Sequence, residues 1–210
     1  MPTLTVDPAS CRPESLRRAV DHLRAGRIVA IPTDTSYGLA VDPTSDAAVR
    51  RLFTWKGRPE GVALPLVAAS VVQVERVCGA LPNATALLAA AFWPGPLSLI
   101  VDAPLSVSAA VHGGRGTVAV RVPDHPVTMV LAEAFGGLLT ATSANRSGEP
   151  PAKTAGDLGA LSADDSILVI DAGPASEGPP STLVDARQAV PTLVREGAVA
   201  WSRVLKSLGR

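Results

Sequence analysis

Four short polar clusters in this chain carry side chains that could do more than cap their own backbone. The first lies in residues 31–42, IPTDTSYGLAVD, where Thr33, Asp34, Thr35 and Ser36 precede the only tyrosine, Tyr37. A β-turn whose Asp and Thr bond their own backbone accounts for one or two of these groups, not all of them. The second is Lys56-Gly57-Arg58. A point-charge lysine and a forked arginine around a glycine suit an anion, and they equally suit a solvated helix end. The third is Arg121 in TVAVRVP, where alternation puts Val118, Val120 and Val122 on one face and Thr117, Ala119 and Arg121 on the other. An arginine among valines pairs with a carboxylate, either internal or a ligand's. The fourth is Ser143-Ala144-Asn145 after LLTAT, a hydroxyl and an amide on alternate residues that can hold a phosphate or a base edge. Only three of the nineteen cationic residues are lysines (Lys56, Lys153 and Lys206), so a lysine in a motif hints that a compact ammonium is wanted there.

The elements that must position these clusters can be read from periodicity and punctuation. Leu16, Ala19, Val20 and Leu23 fall at helical spacing within Pro13–Ala25, and Gly26 ends that helix. Strands are expected at 27–31, 38–42, 64–69, 97–103, 117–123, 138–142, 166–171, 181–185 and 192–195. Helices are expected at 71–78, 83–92, 126–135 and 202–208, with one more capped by Ser45 that turns Val49, Leu52 and Phe53 inward. WPGP (Trp93–Pro96) stops the 83–92 helix, and HGGRG (His112–Gly116) and residues 143–154 read as loops. Several strand pairs are joined by loops too short for a helical crossover, which favours a mixed sheet. The Pro/Gly-rich segment Ala172–Pro180 is the best candidate for a mobile loop.

Composition narrows the class. At 210 residues and 47% hydrophobic, the chain can bury one substantial core, and its apolar runs are too short for a membrane span. No basic leader or apolar h-region opens it, so a cytoplasmic protein is expected. Two distant cysteines, Cys11 and Cys78, and three scattered histidines suggest neither a disulfide framework nor a zinc site. The formal net charge is zero, so no global field recruits nucleic acid, although a local basic pocket is compatible with it.

GxGxxG at a helix start, GxxxxGK[ST] and GxSxG are all missing. The clusters occur instead within PTDTSYGL, KGRP with LPL, WPGPLSLIV, GTVAVRVPDHP, TSANRSGEPP, STLVD and LVREG, in that order. In this the chain resembles the YrdC-like family, whose standalone members are L-threonylcarbamoyladenylate synthases. The resemblance runs from about residue 18 to about residue 203. It implies an α/β fold: a single domain with a twisted mixed sheet flanked by helices, a concave basic cavity, and no C-terminal second domain. Ser36 and Ala69 depart from the family pattern, standing where relatives carry a larger apolar residue and, in some, a histidine.

The implied reaction joins L-threonine, bicarbonate (or CO2) and ATP into threonylcarbamoyl-AMP and pyrophosphate, used to modify tRNA adenosine 37. No enzyme nucleophile is required; the protein positions reactants and neutralises phosphate charge. Magnesium rides in on ATP and needs few protein ligands, and no protein metal site or organic cofactor is implied. By motif, Lys56 and Arg58 are the catalytic cations. ATP is held by Lys56, Arg58, Thr117, Ser143, Asn145 and Arg195. Threonine is held by Thr33, Arg121, Ser181 and the backbone at Ala141, with Asp34 and Tyr37 bracing the wall. A downstream tRNA-modifying transferase complex is the implied recipient of the product. The alternatives are a relative that adenylates carbamate from carbamoyl phosphate and, in another class, a non-enzymatic RNA-binding module. Two cysteines and no extra domain weigh against the first; neutral charge and 3% aromatics weigh against the second.

Overall fold

The computed structural model describes residues 1–59, 61–161, 166–176, 178–188 and 190–210. Its strands are β1 (Thr3–Thr5), β2 (Ile28–Ile31), β3 (Gly38–Ala40), β4 (Leu66–Val67), β5 (Leu97–Asp102), β6 (Thr117–Arg121), β7 (Leu139–Thr140), β8 (Thr142–Ser143), β9 (Ile167–Asp171), β10 (Thr182–Asp185) and β11 (Thr192–Arg195). The helices are α1 (Arg17–Arg24), α2 (Asp46–Lys56), α3 (Val71–Cys78), α4 (Asn83–Phe92), α5 (Ala109–His112), α6 (Pro126–Phe135), α7 (Ala155–Leu161) and α8 (Trp201–Ser207). The mixed α/β architecture is as expected, with the strands divided between two sheets ordered β1-β9-β2-β3-β8 and β11-β10-β5-β6-β4-β7. Both sheets mix parallel and antiparallel pairs.

The first sheet is covered on both faces, which is why β2, IVAI, is apolar throughout. Val29 and Ile31 pack with Leu168, Ile170, Leu16 just before α1, and the α1 and α6 residues Ala19, Leu23 and Leu131. Ile28 and Ala30 face the other way, toward the α2 residues Val49, Leu52 and Phe53 and the second sheet's Leu97, Leu99 and Val120. In β6 the valines are buried as alternation predicts.

The two sheets are joined where a single strand is expected over 138–142. Leu139 and Thr140 pair with β4 in the second sheet, and Thr142 and Ser143 pair with β3 in the first. Between them Ala141 leaves both ladders, and its N–H donates to Pro65 O at 2.9 Å. Thr140 ties the step from both sides: its Oγ1 accepts from Val41 N at 2.9 Å, and its N–H donates to Val41 O at 3.2 Å. A strand that changes sheets opens a crevice beside it, and each of the four polar clusters has a member there.

Three elements escape the sequence reading. β1 is only three residues long and pairs in parallel with β9. α5 is one turn capped by Ser108. α7 begins at a reciprocal cap, in which Asp157 Oδ2 accepts from Thr154 N at 2.9 Å and Thr154 Oγ1 accepts from Asp157 N at 3.2 Å. Residues 13–16 are a 3-10 turn rather than the first turn of α1. Among the described residues, no helix is long and apolar enough to cross a membrane.

Candidate functional site

A cavity of about 570 Å³ opens at the sheet switch, within the size range of small-molecule sites. Its walls carry Arg58, Arg121, Lys153 and Arg195, and no carboxylate is among its described lining residues. Hydroxyls of Thr33, Thr35, Ser36, Ser98, Ser143 and Ser181 stand between these cations. Fixed positive charge and hydroxyl dipoles in a concave, partly apolar site suit an anionic ligand.

Arg58 reaches the cavity because α2 ends in a glycine turn. Gly57 takes the left-handed conformation (φ 62°), its N–H donates to Thr54 O at 3.1 Å, and Arg58 N donates to Phe53 O at 3.1 Å. Burial lowers the Arg58 pKa, and its Nη1 lies 3.4 Å from Thr142 Oγ1.

Lys56 is placed differently from the sequence reading, which offers it to an anion or to solvent at a helix end. It is the last residue of α2 and continues the stripe Val49, Leu52, Phe53, leaving it 3% exposed. All three ammonium donors are used, on Ser143 O at 2.6 Å, Asn145 O at 2.9 Å and Asn145 Oδ1 at 2.8 Å. Burial, and then the Arg58 charge, lower its pKa to about 8.

Asn145 is likewise behind the wall rather than on it. Its Oδ1 also accepts from Ser143 Oγ at 2.8 Å, and its Nδ2 donates to Glu149 O. Ser143 itself lines the cavity. Lys56 and Asn145 therefore shape the 143–149 loop, and Arg146 stacks over Trp55 at 4.5 Å as the loop turns back across α2.

Thr33, Arg121, Ala141 and Ser181, which the motifs assign to the amino acid, all line the cavity. Thr33 is largely consumed by its own turn, accepting from Thr35 N at 3.2 Å and Ser36 N at 3.3 Å and donating to Ser36 O at 2.7 Å. Arg121 is 8% exposed and already engaged. Nη1 forms an ion pair with Asp34 Oδ1, and Nη2 reaches Thr35 Oγ1 at 3.1 Å and Thr33 Oγ1 at 3.3 Å. Of the two carboxylates the sequence leaves open for Arg121, the structure contains the internal one. Asp34 Oδ2 is buried and, among the described residues, has no hydrogen-bond partner. His125 lies nearby; burial lowers its pKa, while the Asp34 and Asp124 charges oppose that shift. Tyr37 is part of the lining, and its buried side chain ties the wall to the 172–176 segment, the hydroxyl donating to Gly173 O at 2.8 Å.

On the opposite wall, Arg195 donates to Ser181 O at 2.7 Å, and Ser181 Oγ lies 2.9 Å from Ser98 Oγ. Thr117 shares the β6 face of Ala119 and Arg121 but lies at the far end of the strand, outside the cavity lining. Ser98 and Lys153 are lining residues the sequence reading does not assign. Ser98 is the polar residue alternating with buried Leu97 and Leu99, and Lys153 is one of the three lysines. The 172–180 segment, read from sequence as the mobile one, is tied at Ala175, whose N–H donates to Lys153 O at 2.8 Å; Glu177 lies outside the described residues.

The Ser181 wall rests on Gly197. A Cβ there would lie 2.1 Å from Pro180 O and 2.9 Å from Ser181 O, so any side chain drives the 180–181 backbone away. Gly197→Ala is expected to destabilise the chain by about 1–3 kcal/mol, as overpacking does, and to weaken ligand binding at the Ser181 wall. Thermal melts and ligand titrations check it, and a variant with unchanged melting temperature and binding contradicts this placement.

The Sua5_yciO_yrdC family model, described as telomere recombination, matches residues 21–197. A threonylcarbamoyl-AMP synthase from Halorhodospira halophila is 43% identical over 151 residues, covering 72% of this chain and 79% of that protein. One from Alkalilimnicola ehrlichii is 46% identical over 140 residues, covering 67% and 73%. The crystal structure of Pyrococcus abyssi Sua5 complexed with L-threonine superposes with a TM-score of 0.92 at 33% identity. That match takes in all of this chain, which spans 61% of the Pyrococcus chain.

Proposed function

The chain belongs to the Sua5/YciO/YrdC family, and from that premise we propose that its cavity forms threonylcarbamoyl-AMP and pyrophosphate from L-threonine, bicarbonate and ATP. One observation carries the reading: four cations and a set of hydroxyls converge on one cavity whose described lining has no carboxylate. Two acids must react there, a carbamate and a triphosphate, and they repel each other in water. A basic cavity offsets that repulsion and holds the pair within reach.

The steps follow from the substrates. The free amine of threonine adds to the carbon of CO2 or bicarbonate, giving the carbamate with loss of a proton or of water. A carbamate oxygen then bonds to the α-phosphorus while the bond from that phosphorus to the bridging oxygen breaks, and pyrophosphate leaves. Arg58 and Arg195 are the cations available to the phosphates, with Ser143 between the two substrates. The Thr33–Ser36 turn, Arg121, Ala141 and Ser181 enclose the amino acid. Magnesium enters as part of the ATP substrate. Phosphate oxygens and water would supply most of its ligands, since magnesium keeps several waters when it travels on a nucleotide. The adenylate is a reactive mixed anhydride, and its consumer is a transferase that acylates tRNA adenosine 37, a cytoplasmic setting.

Incubation with ATP, L-threonine and bicarbonate, followed by mass measurement of the nucleotide product, tests the reading. Threonylcarbamoyl-AMP with one pyrophosphate per turnover is expected. Adenylation that requires carbamoyl phosphate, or salt-sensitive RNA binding with no ATP turnover, would replace it.

Lys56 gives the reaction a pH signature. Above about pH 8 its amine becomes neutral and donates two protons where three acceptors wait. Turnover is therefore expected to fall as pH rises through that value. Stability moves the other way. The folded pKa lies below the unfolded one, so between about 8 and 10.5 the unfolded state binds more protons and the native state gains with pH. A pH–rate profile alongside melts at the same pH values checks both; a flat profile to pH 9 contradicts the role of Lys56.

A further inference from the structure

Lys153 stands in the cavity wall at a junction of three segments. Its backbone is fixed by α7, its N–H donating to Asp157 Oδ2 at 2.9 Å. Its carbonyl accepts from Ala175 N at 2.8 Å. Its ammonium donates to Thr35 O at 2.6 Å and Ser176 O at 3.3 Å, spanning the Thr33–Ser36 turn and the 172–176 segment. An ammonium has three protons, and two carbonyls are its acceptors among the described residues. Neither of them carries charge.

We propose that Lys153 is a substrate-positioning residue, which ties these two segments together and gives an N–H to the carboxylate of the bound amino acid. The proposal rests on the functional reading above and names a residue for its amino-acid end.

The choice of the carboxylate over a phosphate follows from what the other cations do. Thr35 joins Lys153 to Arg121: the ammonium binds its carbonyl, while the guanidinium binds its hydroxyl. The two cations thus share one corner of the cavity. In that corner Arg121 is already paired with Asp34, so its charge is locally balanced. Among the described residues Lys153 meets two neutral carbonyls and no carboxylate, so of these two cations it is the one whose charge they leave unbalanced. Arg58 and Arg195 stand on other walls, bonded to Thr142 and Ser181. An α-amino acid with its carboxylate toward Lys153 leaves those two cations for the triphosphate.

Calorimetric titration of L-threonine alone and of ATP alone, on wild type, Lys153→Met and Lys153→Arg, with melting temperatures for each, tests this. Methionine keeps the stem and removes the charge. Threonine affinity is expected to fall roughly 10- to 100-fold in Lys153→Met, the loss of one charge-assisted hydrogen bond. Lys153→Arg should recover part of that loss. ATP affinity should change less than about twofold, and the melting temperature by only a few degrees. Unchanged threonine affinity overturns the proposal. So does a parallel fall in threonine affinity, ATP affinity and melting temperature, which marks a purely structural staple. A wild-type chain that binds ATP but not L-threonine overturns the functional reading, and this proposal with it.

Discussion

Lys56→Ala is expected to lower threonylcarbamoyl-AMP formation by at least about 10²-fold, on the scale of losing a preorganised donor, and to lower the melting temperature as well. The second effect follows from where the side chain ends. Its ammonium holds two backbone carbonyls and the Asn145 side chain, and alanine leaves all three acceptors to find water or go unpaired. An unsatisfied buried polar group costs ~1–3 kcal/mol, part of which is offset because a charge no longer has to be buried. A net loss of about 2 kcal/mol corresponds to roughly 4–8 °C in a chain of this size. Ser143 sits on the cavity and takes its position from the same loop, so turnover falls with the loop's order. Lys56→Met separates the contributions: it keeps the apolar stripe of α2 filled and removes only the ammonium. Arg58→Ala is the contrast, since Arg58 lines the cavity and makes one long contact with Thr142. Its loss should reduce turnover comparably with little change in melting. Product formation and thermal melts on the three variants decide the matter. Wild-type turnover in Lys56→Met sinks the organising role.

The contrast between Lys56 and Arg58 also marks what the sequence could disclose. Chemistry and order were readable, because KGR, SAN and the valine-flanked Arg121 are rare combinations in a chain otherwise rich in Ala, Val and Leu. The burial of Lys56 was readable too, since it lies seven residues after Val49 and four after the buried Ser45-capped helix's Leu52, on the same stripe. A lysine at the end of an apolar stripe signals solvent as readily as burial, because only the fold supplies the three acceptors that let it be buried. The break of one expected strand at Ala141 had no local mark. LLTATS has uniform β propensity, and only Pro65, far away in sequence, accepts the N–H that leaves the ladder. The same holds for the Arg121–Asp34 pair, formed across 87 residues. Ser98 and Lys153 enter the cavity by sheet and loop placement, so residue type alone could flag them but not assign them. Short elements such as β1 and α5 fall below any periodicity window, and their stability comes from partners supplied by the fold.

Arg121→Ala is expected to be the most destabilising single change in the site. The ion pair with Asp34 is nearly closed to solvent, with the two side chains 9% and 10% exposed, and Asp34 Oδ2 has no hydrogen-bond partner among the described residues. Removing one member of a buried pair strands the other charge, at ~3–5 kcal/mol, or roughly 6–20 °C at ~2–4 °C per kcal/mol. The hydroxyls of Thr33 and Thr35 lose their guanidinium partner at the same time. Threonine binding must therefore fall, but a fall alone says little, because a loosened turn and a lost carboxylate clamp look identical. The double variant Arg121→Ala with Asp34→Ala separates them. It removes the stranded charge, so most of the lost melting temperature should return. If Arg121 only pins the turn through Asp34, threonine affinity returns with it. If the guanidinium also takes the amino acid's carboxylate through its remaining N–H groups, stability recovers while threonine affinity stays low. The second outcome is expected, since Arg121 lines the cavity as well as the pair and a planar fork with five donors can serve an internal and an external acceptor together. Arg121→Lys adds a third arm: it keeps the charge beside Asp34 and should hold stability better than alanine, while the lost fork raises the threonine requirement. Recovery of both stability and threonine affinity in the double variant would make Arg121 purely structural and leave Lys153 as the cation that meets the amino acid.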